Sequence, residues 1–124
     1  MKTIHLFDNA SEAVLMTAGT TLFEQDSLAN LMYVLLEGEI AIVRDYQEIA
    51  TIQPGTLVGE MAILEHRPHY ASAVAKTECT VVSISPTRFR FLIEETPNFA
   101  MDVMEIMAER LHLMDRRMAL STGC

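Results

Sequence analysis

The chain concentrates its reactive residue types in one stretch, Gly59-Glu60-Met61-Ala62, followed by Arg67-Pro68-His69-Tyr70-Ala71-Ser72. Gly59 lets the backbone turn tightly and come close to a ligand. Successive backbone N–H groups after a glycine form a concavity suited to an anion. A carboxylate directly after it, Glu60, is an acceptor for a pair of sugar hydroxyls. Spacing alone, however, reads as a glycine turn beside a solvated glutamate. His66 and His69 form His-x-x-His in a loop, but no carboxylate or third histidine stands at metal-site spacing. The pair reads as two loop histidines, and no metal site is expected. No nucleophile elbow, Walker loop or cysteine pair is present, so no catalytic residue is assigned and an enzyme is not expected.

The elements that must hold this stretch follow from periodicity. Short apolar runs bounded by turn residues occur at Val14 to Ala18, Thr21 to Phe23, Leu31 to Leu36, Ile40 to Val43, Glu48 to Ile52, Ala71 to Ala75 and Thr80 to Ile84. Many short strands at even spacing predict an antiparallel sandwich or barrel. The runs on either side of Gly38 read as a hairpin, and Asp45 to Gln47 as a second reversal. Pro54-Gly55 is a further turn. The first dozen residues form one short helix at most. After Ser85 the period becomes helical. Pro86 suits a first turn, and Thr96-Pro97 separates a short helix from a long one ending near Leu120. One domain, 1–124, is expected, with about 13–85 as the β part and about 86–120 as the helices.

The long helix carries two apolar stripes. Ala100, Met104, Met107, Leu111, Met114 and Met118 alternate four and three apart, the spacing of a coiled-coil seam. Phe99, Val103, Ile106, Leu113 and Leu120 lie on an adjacent face. One stripe docks on the chain's own sheet, and the other is left for a partner. The expectation is a parallel homodimer through Met104, Met107, Leu111, Met114 and Met118. In that register Arg110 takes a g position and Asp115 the following e position, where they meet across the pair.

Composition sets the outer limits. Of 124 residues half are hydrophobic, with three Tyr, five Phe, no Trp and nine Met, so aliphatic and Met side chains fill the core. The net charge of −8 disfavours contact with nucleic-acid phosphates or an anionic membrane. No signal-like or membrane-spanning run is present, and Cys79 and Cys124 do not read as a disulfide framework. Cys79 reads as a small buried hydrophobe. These signals together predict a cytoplasmic setting.

The segment Pro54 to Ala73 resembles the phosphate-binding cassette of cyclic-nucleotide-binding domains, the family of cAMP-dependent kinase regulatory subunits and catabolite-activator-type regulators. Further landmarks are Ala18-Gly19-Thr20-Thr21-Leu22-Phe23, Met32-Tyr33-Val34-Leu35 with Gly38, Ala75 to Cys79, and Phe89 to Ile93 with Pro97. The resemblance implies an antiparallel, jelly-roll-like β-roll followed by helices, and a non-enzymatic sensor for cAMP or cGMP without a further cofactor. Glu60 matches the ribose-binding glutamate. Gly59 and Ala62, with Met61 between them, match the cassette turn at the cyclic phosphate. Ser72 matches the hydroxyl that closes the cassette, and Arg110 an arginine reaching in from the long helix.

The departures are as specific. His69 stands at the cassette arginine and Tyr70 at a position commonly Ser, Thr or Ala. A neutral imidazole for a fixed guanidinium costs roughly 1.5–3 kcal/mol, or about 10- to 100-fold in affinity. Arg67, two residues upstream, is a substitute cation. Met114 and Asp115 replace hydroxyl residues that face adenine, and Gln25 replaces a glycine after the second strand. The activator branch's helix-turn-helix is absent from these residues, so no direct nucleic-acid contact is expected and the protein partner is unknown. The competing expectation is a degenerate member that has lost nucleotide binding and acts as a dimerisation or protein-interaction module.

Overall fold

Strands that send buried side chains to both faces carry apolar residues in succession, and two such strands organise this chain. The structure is a computed structural model that describes residues 4, 6, 7 and 10–121, with side chains through Leu113. The described residues form β1 (Val14–Met16), β2 (Thr21–Phe23), β3 (Met32–Glu37), β4 (Ile40–Arg44), β5 (Gln47–Ile52), β6 (Leu57–Val58), α1 (Glu60–Glu65), β7 (Ser72–Ala75), β8 (Cys79–Ile84), α2 (Pro86–Glu95) and α3 (Pro97–Ser121). Two four-stranded antiparallel sheets result, ordered β1-β8-β3-β6 and β2-β7-β4-β5. The β-roll with C-terminal helices is therefore present. The expected short helix at the N-terminus falls largely outside the described residues.

Alternation along β3 and β8 divides the core in two. Tyr33, Leu35, Cys79 and Val81 face the space between the sheets, with Ile40, Ala73 and Ala75 opposite. Met32, Val34, Val82 and Ile84 face the other way and meet Phe89, Phe99, Val103 and Ile106 from the helices. Cys79 is fully buried, as a small hydrophobe would be.

The hairpin expected across Gly38 does not form. β3 pairs with β8 and β6, whereas β4 pairs with β5 and β7, so Gly38 is the corner at which the chain changes sheets. The reason lies in a segment distant in sequence. Gly38 has φ +91°, and a Cβ there would lie 2.3 Å from the Glu78 carbonyl oxygen. Its neighbour Glu39 bonds to the β7–β8 turn, with Glu39 N donating to Thr77 Oγ1 at 3.0 Å and its carbonyl accepting from Lys76 N at 2.9 Å. The β4–β5 reversal is a true hairpin: Asp45 and Tyr46 both have positive φ, the geometry that matches strand twist. β6, two residues long, gives too little pattern to be read from sequence.

The helices begin as their sequence suggests. Ser85 caps α2 by accepting from Arg88 N at 3.1 Å, with Pro86 in the first turn. Pro97 has no N–H to continue α2 and starts α3 instead. Phe99, Val103 and Ile106 are the buried stripe of α3. The expected Met seam divides. Met104 and Leu111 are 56% and 61% exposed, but Met107 is half-buried against the chain's own core, and Met101 is exposed beside Met104. Leu113, expected on the docking stripe, is exposed. The side chains of Met114, Asp115, Met118 and Leu120 lie outside the described residues.

Gly19 and Gly38 share a φ of +91°, but nothing lies within 4 Å of a Cβ at Gly19. Gly19→Ala is expected to cost only the left-handed penalty, about 1–2 kcal/mol. Gly38→Ala adds a clash with fixed backbone and should cost about 3 kcal/mol or more. Urea unfolding of both variants checks this ordering, and equal midpoints would contradict it.

Candidate functional site

The site is built where β6 turns into α1. Gly59 adopts φ 85°, ψ 1° and ends the strand. A Cβ on it would lie 3.0 Å from Phe23 Cε2 and 3.3 Å from His69 Cε1, so the backbone angle favours glycine and any side chain would press on both rings. Glu60, the first residue of α1, is 1% exposed. Its partner arrives from α3: Arg110 Nη1 sits against Glu60 Oε1. Arg110 Nη2 also donates to the Leu57 carbonyl at 2.6 Å and reaches Thr56 Oγ1 at 3.4 Å. Burial lowers the Arg110 pKa, yet a guanidinium stays charged at any ordinary pH. A buried carboxylate costs several kcal/mol to desolvate, and this pairing offsets it.

Arg110 points inward because it continues the docking stripe. Phe99, Val103, Ile106 and Arg110 are spaced four, three and four, so the apolar face of α3 ends in a cation. The guanidinium is thus engaged within the chain, where the heptad reading had placed it at a g position. Thr56, buried and touching Arg110, was not anticipated from sequence.

The second part of the site is aromatic. The His69 ring stacks on Phe23 with centroids 3.7 Å apart and planes 11° apart, and Phe23 in turn faces Tyr33 at 6.4 Å. His69 is 4% exposed, and this burial pushes its pKa below the usual histidine value. It is therefore neutral at pH 7. Its backbone is pinned too, with His69 N donating to the Ser27 carbonyl at 2.9 Å and Asp26 N donating to the His69 carbonyl at 2.8 Å. Phe23 was missed because nothing in its local sequence marks a stacking partner in a distant loop.

The remaining expected residues divide into near and far. Ser72 Oγ accepts from Gln25 N at 2.8 Å, and the Gln25 side chain exchanges two hydrogen bonds with Asp45. The residue in place of the expected glycine thus ties β2 to the β4–β5 hairpin. Ala62 is buried in α1. Met61 is half-exposed, and Tyr70 is 68% exposed beneath the Arg44 guanidinium, which donates to the Tyr70 carbonyl. The Arg67 side chain is 73% exposed, 4.0 Å from Glu65, and does not enter the site. His66 is exposed at the end of α1, away from the buried setting of His69. The arrangement offers a buried carboxylate already held by a cation, a glycine turn, and a neutral aromatic stack.

Comparison with known proteins gives a consistent frame. A family model described as cyclic nucleotide-binding domain matches residues 14–96. An uncharacterized ABC transporter ATP-binding protein of Mycobacterium tuberculosis is 37% identical over 84 residues, covering 64% of this chain and 26% of that protein. The cAMP-activated global transcriptional regulator CRP of Salmonella typhimurium is 29% identical over 104 residues, covering 79% of this chain and 50% of that protein. The chain thus spans between a quarter and half of these relatives' length. The crystal structure of the Thermus thermophilus catabolite activator protein aligns with a TM-score of 0.77 at 26% identity, over 89% of this chain and 54% of that one.

Two outcomes follow from the geometry. Arg110→Met strands Glu60 and should cost about 3 kcal/mol, most of which Glu60→Gln in the same chain should restore. A double-mutant cycle in urea that shows simple additivity would refute the pairing. His69 has a folded pKa below its unfolded value near 6.5, so the unfolded chain takes up the proton first. Stability from this residue is present above about pH 6.5 and is lost as pH falls through the folded pKa. His69→Phe keeps the stack and should remove that part of the acid-side fall in urea midpoint.

Proposed function

We propose a function from one premise: the chain belongs to the cyclic nucleotide-binding domain family. It acts as a non-enzymatic sensor module that takes a cyclic purine nucleotide, cAMP or cGMP, with reduced affinity. The observation that carries this reading is the buried Glu60–Arg110 pair at the mouth of the Gly59 turn. A carboxylate held beside a guanidinium is a ready acceptor for a ribose hydroxyl pair. The backbone N–H groups after Gly59 would face the phosphate. The reduced affinity follows from His69, which is neutral and stacked on Phe23 where a cation would be needed.

Mechanically, the same Arg110 links the ligand site to α3. It ties α3 to α1 through Glu60 and to β6 through the Leu57 carbonyl. A ribose hydroxyl that shares Glu60 alters that tie. The output is a parallel homodimer along α3 through the exposed Met104 and Leu111, with Met107, Met114 and Met118 placed in the same seam by heptad spacing alone. Direct nucleic-acid contact by this chain is not part of the reading, in keeping with its charge of −8.

The second reading, a member that no longer binds nucleotide, is favoured by one specific observation. The His69 ring lies against Gly59 and fills space beside the turn. Calorimetry with cAMP and cGMP separates the two. The sensor reading expects measurable binding by the wild type, a loss in Glu60→Ala, and a gain of about 10- to 100-fold in His69→Arg. Silence with both nucleotides in the wild type and in His69→Arg would establish the second reading instead. For assembly, the wild type should sediment as a dimer at tens of micromolar. Leu111 is exposed in the monomer, so Leu111→Glu should leave folding intact and give a monomer. A monomeric wild type, or a dimeric Leu111→Glu, would remove α3 as the interface.

A further inference from the structure

An open groove of about 540 Å³ lies between α1 and α2, separate from the Glu60–Arg110 site. Phe89 and Ile93 of α2 and Ile63 of α1 line it and are buried or half-buried. Leu28 and Leu64 border it with 79% and 47% of their surface exposed. Two arginines, Arg67 and Arg90, also line it. Their ion pairing is weaker than that of Arg88, Lys76 and Arg110. Arg88 and Arg110 each hold a close carboxylate, and Lys76 lies 3.0 Å from Glu48. Arg67 has only Glu65 at 4.0 Å, and among the described residues Arg90 has no acidic partner. Among the described residues the groove lining thus sets Arg67 and Arg90 against Glu94, a net positive lining in a chain of net charge −8.

We infer that this groove is a docking site for an acidic amphipathic helix of a partner protein. The groove is open between two helices, and apolar grooves of this kind take side chains spaced three and four apart. Glutamates flanking that stripe would meet Arg67 and Arg90. Screening falls off over roughly 8 Å at physiological ionic strength, so these local charges outweigh the chain's distant negative ones. Glu94 also lines the groove, so the complementary helix carries its acidic residues towards the Arg67 and Arg90 side. α1 belongs to both places: Glu60 enters the Arg110 site, and Ala62 to Leu64 line the groove.

The test uses two synthetic amphipathic peptides with one shared leucine stripe, one with glutamates and one with lysines on the polar face. Binding is read from methyl resonances of the full chain. The glutamate peptide should shift Ile63, Leu64 and Ile93 and bind about tenfold tighter than the lysine peptide. Arg67→Glu with Arg90→Glu should reverse that preference, and Leu28→Ser, at an exposed position, should weaken the glutamate peptide without reversing it. Equal binding of both peptides, an unchanged preference in the charge-reversed chain, or shifts confined to Met104 and Leu111 would overturn the proposal. Groove resonances that move with protein concentration in the absence of peptide would assign the groove to a second copy and overturn it as well.

Discussion

The constraint on which the rest of this molecule depends is a carboxylate that has no access to water. Glu60 is 1% exposed, and an ionised carboxylate in that position must have a cation beside it. The cation comes from α3, on the far side of the chain. Site and helix docking are therefore one requirement. The apolar residues Phe99, Val103 and Ile106 set the rotation of α3, and that rotation delivers Arg110 to Glu60 and to the Leu57 carbonyl. β6, only two residues long, is held on one side by β3 and gains a second fixed point from this guanidinium.

The electrostatic character of the site follows from the same pair. Glu60 and Arg110 cancel, and the neighbouring His69 is neutral because it is buried against Phe23. The site then presents no surplus positive charge from these three side chains. An anion placed at Gly59 would depend on backbone N–H groups, whose contribution is that of ordinary hydrogen bonds to a charged group, about 1.5–3 kcal/mol each. The stack of His69, Phe23 and Tyr33 also explains why the turn is tight. Rings occupy the side of Gly59 on which a Cβ would project.

Legibility in the sequence varied with how local each constraint is. β3 was visible because its first four residues are apolar and buried on both faces, and β8 because Cys79, Val81, Val82 and Ile84 are buried around Thr80 and the exposed Ser83. α2 and α3 were visible because Ser85, Pro86 and Pro97 mark their ends chemically. The Gly38 corner was misread as a hairpin, since a glycine between two strands looks alike whether it joins one sheet or two. What decides is the Glu78 carbonyl, which belongs to another part of the chain. The candidate site residues Gly59, Glu60, Ala62, Ser72 and Arg110 stand out in the sequence only through resemblance, because a Gly-Glu dipeptide has no periodic signature. The inward aim of Arg110 was nonetheless written in its spacing from Ile106 and Val103. The heptad reading favoured the neighbouring face, and the half-buried Met107 shows that the two faces overlap. The His69–Phe23 stack joins distant segments, and no local pattern encodes it.

These observations bear on how much a ligand could move α3. An exposed ion pair contributes about 0–1 kcal/mol and would be a weak lever. The Glu60–Arg110 pair is buried at one end, so disturbing it reaches the scale of several kcal/mol. Coupling between sites is typically about 1–3 kcal/mol, which lies inside that range. A ligand shifts an equilibrium only by its differential affinity for the two states. The lever therefore works only if Arg110 has somewhere else to go when Glu60 is shared. The Leu57 carbonyl and Thr56 offer that alternative, since Arg110 already bonds to both. A guanidinium with five donors could give up the carboxylate and remain anchored to β6, so in the proposed sensor α3 would be biased in its packing without being released from the roll.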